Sequence, residues 1–202
     1  MNNTSRLPLY LLIAYLIVFC IGAINPIARD VWFVENATVW VVLISIMILY
    51  FKGIRFSNLS YIFMAFFIIL HTIGGHFTFE KVPFDFVTQL FGLERNGYDR
   101  MAHFTVGFYA FPIAEYLAYK KFITKKWLIY LFAIFIIMAV ALSYEIFEWW
   151  YAISSDPSAG IAVLGSQGDI WDAQKDMLSD TLGAIFAMFV FHFTYKKIKS
   201  SN

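Results

Sequence analysis

Residues 125–151 read KKWLIYLFAIFIIMAVALSYEIFEWWY, and this stretch decides the fold. Two lysines open it, a long apolar run follows, and Trp149, Trp150 and Tyr151 close it. About 20 apolar residues in a helix match the hydrocarbon thickness of a bilayer, and aromatic rings gather at membrane interfaces. The segment is therefore expected to cross a membrane. The composition of the 202-residue chain agrees, with 60% hydrophobic and only 14% charged residues, where soluble domains carry about 25% charged.

Five further apolar segments stand out, at about 7–24, 37–51, 59–73, 101–119 and 175–195. The expected fold is all-α, a polytopic transmembrane bundle of six helices forming a single integral membrane domain over 1–202. The second and third segments are short for a span, so they must sit in thinned membrane, extend into their flanks or border a cavity. Residues 7–24 read as an uncleaved first span rather than a signal peptide. Only Arg6 precedes them, no A-x-A site follows, and Phe19 before Cys20 is too large for lipoprotein cleavage. Net charge is +1 without a basic stripe, which leaves no footprint for nucleic acid, and the single Cys20 excludes a disulfide framework or a thiolate metal site.

Lys and Arg set the orientation. Arg6, Lys52, Arg55, the 120–126 turn and the tail at Lys196, Lys197 and Lys199 lie on one side, which the positive-inside rule makes cytoplasmic. Both termini are then cytoplasmic, and the connections 25–36, 74–100 and 151–174 face outward, as expected for a multi-pass membrane protein. Of 14 carboxylates, only Glu115 lies toward the cytoplasm. It reads as a snorkelling acid paired with nearby lysines or as the far end of a proton path. In the 74–100 connection, Phe84, Val87, Leu90 and Phe91 recur at helical spacing, which suits a short interfacial helix.

The outer helix ends gather polar residues. The third segment ends in His71, Gly74-Gly75 and His76. The fourth opens with Asp99-Arg100-Met101-Ala102-His103, placing Asp99 and His103 on one face at i,i+4; Asp99 alone would serve as a cap. Glu145 and Glu148 share a face near the end of the fifth, where carboxylates oppose the helix dipole and so have a reason other than local stability. The run from Gly165 to Asp180 carries Gln167 and the acids Asp169, Asp172, Asp176 and Asp180, whose steps of three, four and four read as one helical stripe. Like charges at that spacing repel. Protons on some acids, pairing with Arg95, Arg100 and Lys175, or a divalent metal would compensate them. Below the stripe, Gly183 and Ala187 form a small-xxx-small pair suited to close helix packing.

The segments His71-x4-His76, Pro83-Phe84-Asp85, Asp99-Arg100-x2-His103-Phe104, Ser143 to Trp150 and Gly165 to Asp180 together resemble the YjdF-type bacterial inner-membrane proteins, over roughly residues 55–190. The resemblance implies a small multi-pass plasma-membrane protein and brings no reaction with it. A looser similarity is to VanZ-like membrane proteins, through Asp99-Arg100-x2-His103-Phe104 and the late Gln167, Asp176, Asp180 and Gly183. It implies a shared architecture and cell-envelope lipid or glycopeptide-related work. Asp180 stands where that pattern has Asn.

The leading functional expectation is a metal-dependent hydrolase acting on a lipid or lipid-linked envelope substrate. His71, His76, His103, Asp172 and Asp176 would hold a divalent Zn, Mn or Fe, and Glu145 or Glu148 would be the general base. Asp99, Arg100, Gln167, Asp169 and Asp180 would complete the polar site. No compact H-E-x-x-H motif is present, so charge balance carries the metal expectation. The alternatives are a proton-coupled transporter using Asp180, Glu145 and Glu115, or a non-catalytic membrane protein with a structural ion site.

Overall fold

The structure, a computed structural model, describes residues 5–90, 92 and 95–200, with side chains described as far as Thr194. Phe91 and the side chains of Lys196, Lys197 and Lys199 lie outside the described residues, as does Glu94 among the acids. No strand occurs among the described residues. The helices are α1 (Leu7–Gly22), α2 (Arg29–Phe51), α3 (Asn58–His76), α4 (Asp85–Leu90), α5 (Tyr98–Val106), α6 (Ala110–Tyr119), α7 (Lys126–Ser154), α8 (Pro157–Leu164) and α9 (Asp172–Ser200). A 3-10 turn, Gly107–Tyr109, joins α5 to α6. Among the described residues, four helices are long and apolar enough to cross a membrane: α2, α3, α7 and the Asp172–Thr194 part of α9; α1 is a shorter apolar helix.

The short second and third segments resolve by extension into their flanks. α2 begins eight residues before 37, taking in Asp30, Glu35 and Asn36. Those polar residues hide the helix start in the sequence, yet Glu35 and Asn36 are buried. Asn36 donates its side-chain amide to the Trp32 carbonyl (2.8 Å), so the Asn of the Asn-Ala-Thr triplet is buried and already partnered. The expected fourth span is a broken element. Pro112 lacks an N–H and cannot complete a regular ladder, and the 3-10 turn at Gly107 tightens the chain just before it.

Gly107 also lets this element touch α9 backbone to backbone. A Cβ there would collide with the chain at Asp180, Gly183 and Ala184, and one on Gly183 would strike the Phe104 carbonyl. Between helices in lipid, apolar burial gains little, because lipid tails are as apolar as side chains; close van der Waals packing over small residues does the work. Around this crossing Phe63, Phe108, Phe111, Ile137, Ala184, Ala187 and Phe191 make the main core, with Phe111 edge-on to Phe191 (5.2 Å). α3 packs on α1, α2 and α5, α9 packs on α5, α6 and α7, and α8 bridges α7 and α2. Phe132, Phe135, Leu142 and Ile146 on α7, with Phe33 and Ile44 on α2, point outward and exposed. That much outward apolar surface suits lipid and would be a liability in water.

Glu115 is not the snorkelling, lysine-paired acid that one reading expects. On α6 it is 3% exposed, and its carboxylate faces the start of α3. It accepts from the Ser57 amide (2.9 Å), the Ser57 hydroxyl (3.0 Å) and the Ser60 hydroxyl. Ser57 is the N-cap of α3, so Glu115 places a negative charge at a helix N-terminus, where the dipole favours it. Glu115→Leu should strand those donors and lower stability by about 1–3 kcal/mol. Glu115→Gln, which keeps an acceptor, should lose less. Thermal unfolding of both purified variants checks the order; Leu melting like wild type would remove the capping role.

Candidate functional site

The α5–α9 contact brings together residues 77 apart in sequence. His103 Nδ1 lies 3.1 Å from Asp180 Oδ2, and both side chains are buried. An ionised carboxylate only accepts, so Nδ1–H donates and Nε2 is left facing the other way. Asp99 Oδ1 lies 3.7 Å from Nε2, the i,i+4 pair expected from the sequence. Asp176, one turn before Asp180, completes a group in which Asp99, His103 and Asp176 each offer a donor atom within 4.8 Å of the others. Asp176 Oδ1 and Asp180 Oδ1 are buried without a hydrogen-bond partner.

A second polar group contains a residue that sequence reading passed over. Glu35 on α2 is 2% exposed, and its Oε2 accepts from the Tyr144 hydroxyl (3.0 Å). The same oxygen lies 3.0 Å from His71 Nε2, without hydrogen-bond alignment. The Tyr144 ring centroid is 6.3 Å from that of His71 and 6.3 Å from that of His103, so it stands between the two groups. The signal for Glu35 was an acid inside Val-Trp-Phe-Val-Glu-Asn-Ala-Thr-Val-Trp. It reads as intramembrane only once α2 is known to start at Arg29. Glu148 is buried beside them, and Glu145 has a buried Oε1 without a partner.

Other expected residues form an ionic patch that adjoins the Asp99–His103–Asp176 group through Arg100, whose Nε lies 3.7 Å from Asp176 Oδ1. Asp172 takes Arg95 (2.6 Å) and Arg100 (3.3 Å); Asp169 takes Arg100 (2.5 Å) and Lys175 (2.6 Å). Asp169 does not continue the helical stripe. Gly165, Gln167 and Gly168 have positive φ, so the chain turns there and α9 starts at Asp172. The Lys175 ammonium, the Trp171 amide and the Arg100 guanidinium hold the Asp169 carboxyl well below the usual carboxylate range. Because that depression favours the charged form in the folded chain, its stabilisation is present above the ordinary carboxylate range and is lost only as pH falls through the depressed value. Gln167 latches the turn to the 74–100 connection, accepting from the Asn96 amide (3.1 Å) and donating to the Asn96 carbonyl (3.2 Å). His76 sits apart, its Nδ1 2.8 Å from the Gly22 carbonyl at the end of α1. Of the five expected metal ligands, the structure therefore groups His103 with Asp176, sets His71 beside Glu35, ties Asp172 to arginines and turns His76 toward the end of α1.

The buried groups open into one cavity of about 590 Å³. Glu35, His71, Asp99, His103, Tyr144, Glu148 and Asp180 line one end, and the remaining wall is almost wholly apolar.

Comparison with known proteins places this arrangement in a family. The family model "Predicted membrane protein (DUF2238)" matches residues 7–197. The chain belongs to the DUF2238 family. It is also 30% identical over 185 residues, 91% of this chain and 85% of the relative, to "Inner membrane protein YjdF" of Escherichia coli (strain K12). No solved structure matches the chain. The DUF2238 match spans every site residue from Glu35 to Asp180, and its membrane description agrees with the four long apolar helices.

Proposed function

We propose that this protein is a membrane-embedded, metal-dependent hydrolase acting on a lipid or lipid-linked envelope substrate. In this reading it has six spans, adding α1 and the α5–α6 element to the four long helices. Both termini are cytoplasmic, and the site opens toward the outer face of the inner membrane. The Lys and Arg distribution supports that orientation, and the relative's name supports the membrane.

One observation carries the proposal: His103 is held by Asp180 at Nδ1 (3.1 Å), its Nε2 lies 3.7 Å from Asp99, and Asp99, His103 and Asp176 each offer a ligand atom within 4.8 Å of the others. A carboxylate on the far nitrogen fixes the tautomer and raises the basicity of a ligating imidazole. Two carboxylates and one imidazole suit Zn, Mn or Fe. A divalent ion there would supply Lewis-acid chemistry and an acidified water, and Glu145 or Glu148 would take up the proton. His71 and Glu35, across the same cavity, would orient the headgroup. In the transporter alternative Glu115 would have to serve as the cytoplasmic station while its carboxylate caps α3.

Full-length protein purified without chelator should carry one divalent ion per chain by elemental analysis. His103→Ala or Asp176→Ala should lose it, and Asp180→Asn should weaken its binding by about 10–100-fold while leaving the ligands in place. Metal-free wild-type protein with an intact melting transition would end the proposal.

A further inference from the structure

The cavity has a shape that its head-end chemistry does not require. On α2 it is lined from Glu35 to Leu49, about 21 Å at 1.5 Å per residue. That is roughly two-thirds of a hydrocarbon core about 30 Å thick. Beyond the polar end the wall offers almost nothing to a polar ligand: the Ser45 hydroxyl is spent on the Val41 carbonyl and the Tyr109 hydroxyl on the Met64 carbonyl.

One long side faces the bilayer. Val41 on α2 and Val140 on α7 both line the cavity and are 66% and 48% exposed, so they form its rim. α2 packs on α3 and α8, whereas α7 packs on α6, α8 and α9. The bridge between α2 and α7 is α8, at the acid-rich end, where Ala162, Val163 and Gly165 close the cavity beside Glu35 and Glu148. Below α8 the phase meeting the rim is lipid hydrocarbon.

From this geometry we infer that the cavity is a slot for one long hydrocarbon chain, acyl or isoprenoid, admitted sideways between α2 and α7 with its headgroup at the Glu35–His71–His103 end. Such a slot narrows the substrate class to amphiphiles with a chain long enough to reach Leu49 and Tyr116. It deepens the hydrolase reading, which it needs for what happens to the headgroup. Occupancy by a chain stands on the cavity alone.

Photolabelling tests it without turnover. Full-length protein is reconstituted into phosphatidylethanolamine–phosphatidylglycerol vesicles containing either a phosphatidylglycerol with a diazirine in its acyl chain or a diazirine-bearing polyprenyl phosphate. After irradiation the adducts are mapped by peptide mass spectrometry. Met64, Phe67 and Ala102 line the cavity and are buried from the outside, so adducts on them require a chain within. The arm that labels them identifies the chain type. Val41→Trp and Val140→Trp, at exposed positions that leave the core untouched, should each cut those adducts by about tenfold while labelling of lipid-facing Phe132 and Phe135 persists. Adducts confined to Phe132 and Phe135 in both arms, or interior adducts unchanged in both Trp variants, would overturn the slot. A metal-free protein that labels inside keeps the slot and removes the hydrolase; a metal-bearing protein labelled only outside does the reverse.

Discussion

Gly183→Ala should destroy most of the folded protein, although in an ordinary helix the same change stabilises by about 1 kcal/mol. The reversal of sign is the test. A Cβ at 183 would occupy the position of the Phe104 carbonyl oxygen, and its neighbour across the contact is Gly107, itself packed on the α9 backbone. A side chain in the way could rotate aside; a carbonyl fixed in a helix cannot. Ordinary overpacking costs about 1–3 kcal/mol. Forcing apart two backbones belongs with the rarer losses of about 4 kcal/mol or more. The separation would also pull His103 from Asp180, since the two sit on the elements being parted. Size-exclusion yield and thermal unfolding in detergent read the first effect, and metal content of any surviving protein reads the second. Gly183→Ala protein melting at or above wild type would show that the two helices do not meet as described.

What the sequence made legible follows from which signals are local. Apolar runs marked the long helices, and the Asp99–His103 pair was readable because i and i+4 share a face on any helix. Gly183 and Ala187 marked the close packing of α9, and Gly183 makes the backbone contact. The start of α2 was hidden because Asp30, Glu35 and Asn36 look like a loop. Their acceptance inside a helix depends on partners such as Tyr144 that lie far along the chain. Spacing alone made Asp169 part of a helical stripe, but spacing assumes a helix, and Gly165, Gln167 and Gly168 turn the chain before α9 begins. α8 lies inside what read as the bare connection 151–174, although its signals are local: Asp156 caps it, Pro157 occupies its first turn, and Gly165 ends it in the left-handed region. The His103–Asp180 bond had no such signal, because only tertiary packing joins α5 to α9.

Arg95→Met should be the most damaging change at the ionic patch, at about 3–5 kcal/mol, the usual cost of removing one partner from a buried pair. Arg95 ties three pieces of chain together: its Nη1 lies 2.6 Å from Asp172 on α9 and donates to the Ser166 carbonyl (2.6 Å) in the turn before it. Without it, Asp172 keeps Arg100 at 3.3 Å as its cation among the described residues, and Arg100 is shared with Asp169 and Asp176. The pair is not ideally satisfied, since Arg95 Nε and Nη2 are buried without hydrogen-bond partners. Replacing both members with apolar side chains should therefore cost much less than removing one, and Arg95→Met/Asp172→Leu should regain most of the lost stability. A double-mutant cycle by thermal unfolding, run with and without chelator, separates two ways of neutralising Asp172. A large coupling that ignores chelator assigns Asp172 to the arginine and leaves the metal to Asp99, His103 and Asp176. A coupling that vanishes with chelator would return Asp172 to the ligand set and redraw the site around it.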